Sequence, residues 1–198
     1  MSRASASKSA PQDRRKVIIY AAASVVVVAI VVAIGLFSRT PPPKAASQAP
    51  IESKLKAGDA APTFSAQTNA GTFDLAQVST PTLLEVFATW CPHCQRETAV
   101  LNDLARRYAG KVAIVAVSGS PYGMDGSAAE SQTDVNRFGA QFAVGYPIAF
   151  DPELKVARLY LQGGFPTLVV IDKNKKITWI KSGEVGEQDI VKALKPVI

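Results

Sequence analysis

Residues 82–97 read TLLEVFATWCPHCQRE and hold a near-continuous apolar run, both cysteines of the chain and its only histidine. The run TLLEVFA, residues 82–88, has strand length and no regular polar face, the pattern of a strand covered on both sides. Beyond the cysteines, Thr98, Leu101, Leu104, Ala105 and Tyr108 recur at helical spacing, and Gly110 stops the helix. Arg96, Asn102, Asp103, Arg106 and Arg107 fall largely on the other faces. KVAIVAV, residues 111–117, is a second strand of the buried type. Strand, helix and strand compose a βαβ unit, whose crossover is almost always right-handed. The cysteines therefore stand between a strand end and a helix start.

The same alternation continues downstream. Residues 118–130, SGSPYGMDGSAAE, form a long small-residue loop. Val135, Phe138 and Phe142 predict a helix, 147–150 a short strand, 152–160 a short helix and TLVVI, 167–171, a further strand. After the polar turn 172–175, Ile177, Trp179 and Lys181 alternate on a strand that closes a hairpin. Residues 187–195 give a last amphipathic helix with Ile190, Val191 and Leu194 inward. The expected fold is an α/β sandwich, its mixed sheet parallel early and antiparallel late, with helices on both faces.

Ahead of this domain lies a different kind of sequence. Residues 17–37, VIIYAAASVVVVAIVVAIGLF, are 21 uncharged residues, enough at about 1.5 Å each to cross a hydrocarbon core of roughly 30 Å. They read as a transmembrane signal anchor. A cleaved signal peptide would carry a shorter apolar region and a small-residue cleavage site, whereas Phe37 is followed by SRTPPP. Arg3, Lys8, Arg14, Arg15 and Lys16 precede the span against Asp13 alone, so residues 1–16 are expected in the cytoplasm and the C-terminal domain outside the cell membrane. Residues 38–56, rich in Pro, Ala, Ser and Lys, read as a tether to the domain at 57–198.

The net charge of +6 belongs to that N-terminal part. Residues 1–50 carry seven Lys/Arg and one acid, while residues 51–198 carry fifteen of each sign. A neutral domain lacks the basic surplus that phosphate binding needs, so no nucleic-acid partner is expected.

Two cysteines allow one pair, spaced Cys91-Pro92-His93-Cys94. As a staple, a loop this short would constrain the unfolded chain very little. As a metal site it lacks a second cysteine pair to complete four ligands, and His93 sits inside the pair with poor reach. No metal is expected, and a Cu(I)-binding chaperone is the reading of a different class. As a redox pair it is well placed. A cysteine at the start of a helix faces unpaired N–H groups, which favour the thiolate and lower its pKa from about 8.5 toward about 3.5 to 7.5. Pro92 suits the first helical turn, where a missing N–H loses no partner. Cys94, one turn later, points inward. The exposed Cys91 sulfur is expected to attack a substrate disulfide and Cys94 to resolve the mixed disulfide, with no cofactor beyond this redox-active pair. His93, when protonated, would stabilise the Cys91 thiolate and make the disulfide more oxidising.

Two acids stand near the pair. Glu85 interrupts the apolar strand, where burial would raise its pKa and suit it to move the proton of Cys94. Glu97, three residues after Cys94, either hydrogen-bonds near the disulfide or complements the helix N-terminus. Further on, Phe165-Pro166-Thr167 opens the last apolar strand, and either isomer of the Pro166 bond is compatible with the sequence.

Residues 57–198 resemble the thioredoxin superfamily, and within it the membrane-anchored TlpA/ResA-like thiol–disulfide oxidoreductases. The resemblance rests on Trp90-Cys91-Pro92-His93-Cys94, the glutamate of CQRE, AGDAAPTF at 57–64 and GGFPTLVVID at 163–172. It implies a thioredoxin-like three-layer sandwich, a cis Pro166 packed against the cysteines, and substrate pairing along Phe165, Pro166 and Thr167. It also implies that Glu85 is the buried carboxylate, that Trp90, Pro92 and His93 tune the site, and that 118–142 is an insertion in the core fold. The implied partners are cysteine-containing extracytoplasmic proteins and a membrane thiol-electron donor or acceptor. Pro-His between the cysteines resembles the oxidising DsbA group, while the scaffold resembles reductases serving cytochrome c maturation. The direction of electron flow is therefore open at the level of sequence.

Overall fold

The computed structural model describes residues 18–20 and 52–198. The expected cytoplasmic segment 1–16, nearly all of the 17–37 span and the tether as far as residue 51 lie outside the described residues. Among the described residues no helix is long and apolar enough to cross a membrane. The account that follows concerns the unit Ala49–Ile198.

Among the described residues, seven strands form one mixed sheet in the order β2 (Gly71–Asp74), β1 (Ser65–Thr68), β5 (Ile148–Phe150), β4 (Ala113–Ser118), β3 (Thr82–Phe87), β6 (Thr167–Ile171), β7 (Ile177–Ser182). At its centre, β3 (Thr82–Phe87) runs parallel to β4 (Ala113–Ser118), and β4 parallel to β5 (Ile148–Phe150). On the other side β6 (Thr167–Ile171) is antiparallel to β3, and β7 (Ile177–Ser182) antiparallel to β6. Every residue of β3 is buried, Glu85 included, as its near-continuous apolar run predicts.

Alternate residues of β3 feed two cores. Leu83 and Phe87 join Leu101 and Leu104 of α1 (Pro92–Arg107), Val135 and Phe138 of α2 (Gln132–Gln141), and Ile190 and Leu194 of α4 (Glu187–Leu194). Leu84 and Val86 face the opposite core with Val156, Ala157 and Tyr160 of α3 (Lys155–Tyr160). Glu85 shares the parity of Leu83 and Phe87 and so points to the α1 side, where the cysteines lie.

Three features depart from expectation. The sheet carries an extra hairpin, β1 (Ser65–Thr68) and β2 (Gly71–Asp74), joined by the two-residue turn Asn69-Ala70 and entering β2 at Gly71 with φ of +108°. Its strands, SAQT and GTFD, are too short and polar to show a hydrophobic period. Ile177 and Trp179 do not share a face: Ile177 pairs with Ile171 and Trp179 with Val170, so Thr178 is an extra residue. The bulge reverses the alternation, sending Ile177 into the α3-side core and Trp179 onto the α1-side core. Finally, residues 53–56 belong to the domain rather than to a tether. The Ser53 N–H donates to Leu161 O at 2.6 Å, Gln162 Nε2 donates to Leu55 O, and Leu55 packs on the α3-side core. One apolar anchor, diluted in a Pro/Ala/Lys-rich stretch, was enough to extend the fold.

Candidate active site

The chain leaves β3 through Ala88-Thr89-Trp90 and turns into α1, with Cys91 as its N-cap and Pro92 at the first helical position. Cys91 donates its N–H to Ala88 O at 3.1 Å and accepts from Gln95 N at 3.1 Å, which closes the turn. In this structure Cys91 and Cys94 are free thiols. Cys94 is fully buried, and Cys91 is only 4 % exposed, more enclosed than the open nucleophile expected. The reason is the loop across the cleft: the Cys91 thiol lies 3.6 Å from Phe165 O, and the Phe165-Pro166 bond is cis.

The two thiols are driven apart in acidity. The Cys91 thiol is lowered to about 6, first by a hydrogen bond from the Cys94 thiol, against the effect of burial, and then by the backbone N–H groups of Cys94 and His93 and the charge of His93. Cys94 is pushed strongly up by burial, by its hydrogen bond to Cys91 and by the charge of Glu85. At neutral pH one sulfur is an anion and the other a donor to it.

Glu85 is buried, as its place in β3 suggested, and its Oε1 has no hydrogen-bond partner. Burial first, then the charges of Glu97 and Cys91, hold its carboxyl well above the usual range. Glu97 is also fully buried and is raised to about 7, chiefly by burial. Its hydrogen bond goes neither to the cysteines nor to the helix N-terminus. Glu97 Oε2 accepts the Val185 N–H at 2.8 Å from the turn after β7, and Oε1 is unpartnered.

Around this centre, Trp90 is 37 % exposed, donates Nε1–H to Ser120 Oγ at 2.8 Å and meets the Phe165 ring edge-on at 6.1 Å. His93 is exposed beside Glu184 and Arg96. Thr167 does not face the cleft. It is fully buried, and its hydroxyl donates to Gly164 O at 2.9 Å and accepts from Gln162 N at 3.0 Å, which braces the turn before the cis proline.

Several site residues carried no sequence signal. Glu130, in the loop after β4, is a buried carboxylate that accepts from Thr89 Oγ1 at 2.9 Å and from Ser118 Oγ at 2.5 Å. Burial raises it to about 7, and the two hydroxyl donors oppose that rise. Glu184 reaches the motif from 88 residues beyond Arg96. Only the fold brings such pairs together. A groove of about 600 Å³ between β1 and α3, lined by Phe64, Phe150, Val156 and Leu159, contains none of the residues named above. Among the described residues, no three His, Cys, Asp or Glu side chains gather as a metal site.

Comparison with known proteins agrees with this geometry. The family model described as Redoxin matches residues 56–195. Thiol-disulfide oxidoreductase ResA of Geobacillus thermodenitrificans is 31 % identical over 115 residues, 58 % of this chain and 61 % of the relative. The chain thus spans about three-fifths of the length of that relative. Thioredoxin-like protein YneN of Bacillus subtilis is 28 % identical over 142 residues, 71 % of this chain and 79 % of the relative. Among solved structures, a Chlorobium tepidum protein assigned as a DsbE thiol:disulfide interchange protein superposes with a TM-score of 0.63 at 26 % identity, covering 72 % of this chain and 98 % of the other. With a thioredoxin-like mixed sheet carrying the cysteine pair at the start of α1, the chain belongs to the Redoxin family.

Proposed function

We propose that the protein is a membrane-tethered, extracytoplasmic thiol–disulfide oxidoreductase acting on cysteine-containing proteins, with Cys91 as nucleophile and Cys94 as resolver. The observation that carries this reading is the pairing of an acidic thiol at the N-cap of α1 with a non-acidic thiol buried one turn behind it. The ResA relatives, named as thiol-disulfide oxidoreductases, support it. The Cys91 thiolate attacks one sulfur of a client disulfide, forming a mixed disulfide and releasing one client thiolate. Cys94 then loses its proton and attacks the Cys91 sulfur, releasing the second client thiolate and leaving the Cys91–Cys94 disulfide. Two electrons have passed to the client.

Glu85 serves the second step. Its ionisation is opposed partly by the Cys91 charge, which disappears in the mixed disulfide, so the carboxylate becomes accessible as a base when Cys94 must be deprotonated. Client backbone pairs along Phe165 and Pro166, with Trp90 as the apolar wall. In this direction the protein is a reductase, of the kind serving cytochrome c maturation or envelope thiol homeostasis, recharged by a membrane thiol-electron donor. The opposite direction, disulfide donation as in DsbA-like oxidases, is favoured by the acidity of Cys91, because a stabilised thiolate makes the disulfide more oxidising. Membrane tethering is supported by the uncharged run 17–37 and its basic flank.

Replacing Cys94→Ser tests the core of the reading. The variant should accumulate client proteins in mixed disulfides on Cys91, released by dithiothreitol. Full activity without trapped clients would overturn the assignment. A Cu(I) titration of the dithiol form separates the metallochaperone alternative, which requires stoichiometric binding.

A further inference from the structure

Three consecutive residues in the turn after β7 each grip a different part of the site. The Gly183 N–H donates to Pro166 O at 2.8 Å, the Glu184 carboxylate binds Arg96 and His93, and the Val185 N–H donates to Glu97 Oε2 at 2.8 Å. Gly183 makes this turn at φ of +86°, a conformation that strains residues with a side chain.

Glu184 is the centre of a charge cluster on the lip of the cleft. Its Oε1 accepts from Arg96 Nε at 3.0 Å, and its Oε2 from Arg96 Nη2 at 2.6 Å. His93 Nδ1 lies 2.8 Å from Glu184 Oε2 and 2.7 Å from Arg96 Nη2. Unprotonated, that nitrogen accepts from Arg96; protonated, it donates to Glu184. In either state the ring is engaged by the cluster.

We propose that Glu184 sets the redox poise of the Cys91–Cys94 pair by binding Arg96 and His93 and so offsetting their positive charge at the Cys91 sulfur. The proposal rests on the disulfide-exchange reading above and assigns a determinant of its direction. Positive charge near Cys91 stabilises a thiolate that exists only in the reduced protein, so it makes the disulfide a stronger oxidant. A carboxylate in the same cluster acts the other way. Both cations are within electrical reach: the charge of His93 is among the influences that lower Cys91, and Arg96 is held charged first by its hydrogen bond to Glu184 and in smaller part by Cys91. Glu184 itself is lowered to about 2, first by Arg96 and then by His93, so it remains an anion across the physiological range. It thus opposes the oxidising tendency that a histidine between the cysteines would otherwise impose.

The test is equilibration of the full chain with a series of glutathione redox ratios, comparing wild type with Glu184→Gln, which keeps the shape and removes the charge. The variant's disulfide should be about three- to tenfold more oxidising, which is at most roughly 30 mV at the two-electron scale of about 30 mV per tenfold. In 1 M salt, where the Debye length is about 3 Å, the shift should shrink. In an Arg96→Gln/His93→Gln background the same substitution should change the constant by less than about twofold, because no cation is left to release. An equal shift in both backgrounds would mean that Glu184 acts directly on the sulfur or through the turn, and not by offsetting Arg96 and His93, and would overturn the proposal. So would an unchanged constant in a Glu184→Gln protein that still exchanges. A wild-type protein that never equilibrates with glutathione would instead refute the disulfide-exchange reading, and this inference with it.

Discussion

Cys91 owes its acidity first to a side chain one helical turn away. Burial makes Cys94 a poor acid, and a thiol that keeps its proton is the donor a neighbouring thiolate needs. The same desolvation that would penalise one sulfur therefore stabilises the other as an anion. Replacing Cys94→Ala removes the donor but leaves the N–H groups at the start of α1 in place. The alkylation midpoint of Cys91 should then rise from about 6 by at least one pH unit toward the ordinary value of about 8.5. Rates of iodoacetamide labelling across pH 4 to 10 would measure it, and a midpoint that stays near 6 would place the acidity in the helix N-terminus alone. At this scale the sequence was readable where chemistry is local. Cys91, Pro92, His93 and Cys94 are neighbours, and their spacing alone suggested the pair. Glu130 and Glu184 were invisible because a carboxylate's role depends on what the fold sets opposite it.

Between β4 and α2 the chain makes a small closed loop that is fastened to the cysteine motif at two points. Trp90 Nε1 donates to Ser120 Oγ, and Thr89 Oγ1 donates to Glu130, which also takes the Ser118 hydroxyl at the end of β4. Ser131 then caps α2 through a reciprocal pair with Asp134. Glu130→Ala would leave two buried hydroxyls without their acceptor, at a cost of about 1 to 3 kcal/mol. The expected result is a lower urea midpoint and faster proteolytic cleavage within residues 121–129. Unaltered cleavage would show that the loop is held by its own internal bonds instead. Sequence reading recovered every element from β3 to α4, because near-continuous apolar runs mark β3, β4 and β6 and helical spacing of apolar residues marks α1, α2 and α4. The hairpin β1–β2 and the Thr178 bulge escaped it, the first because four-residue polar strands have no period and the second because one inserted residue inverts the period it would be judged by.

Taken as a whole, the folded domain stores several carboxyls in surroundings that prefer them neutral, and this gives its stability a direction in pH. Glu97 and Glu130 are raised to about 7 from an ordinary value of 4.5, and Glu85 is also held well above that ordinary value, in each case chiefly by burial. Between those values the folded chain holds protons that the unfolded chain has released, so the native state is favoured at low pH and loses that advantage as pH rises through 7. Cys91 works in the opposite sense. Its pKa is lowered from 9 to about 6, so its contribution is complete only above 9 and is lost as pH falls through 6. One thiol, whose pull toward higher pH begins only near 6, set against three buried carboxyls leaves the carboxyls dominant between pH 4.5 and 7. Unfolding in urea should therefore require less denaturant at pH 7.5 than at pH 5, and Glu97→Gln with Glu130→Gln should flatten that dependence by replacing an ionisable group with a neutral one. A midpoint that climbs steadily from pH 5 to 7.5 would mean these side chains are ionised in the native protein, with water reaching the unpartnered oxygens of Glu85 and Glu97.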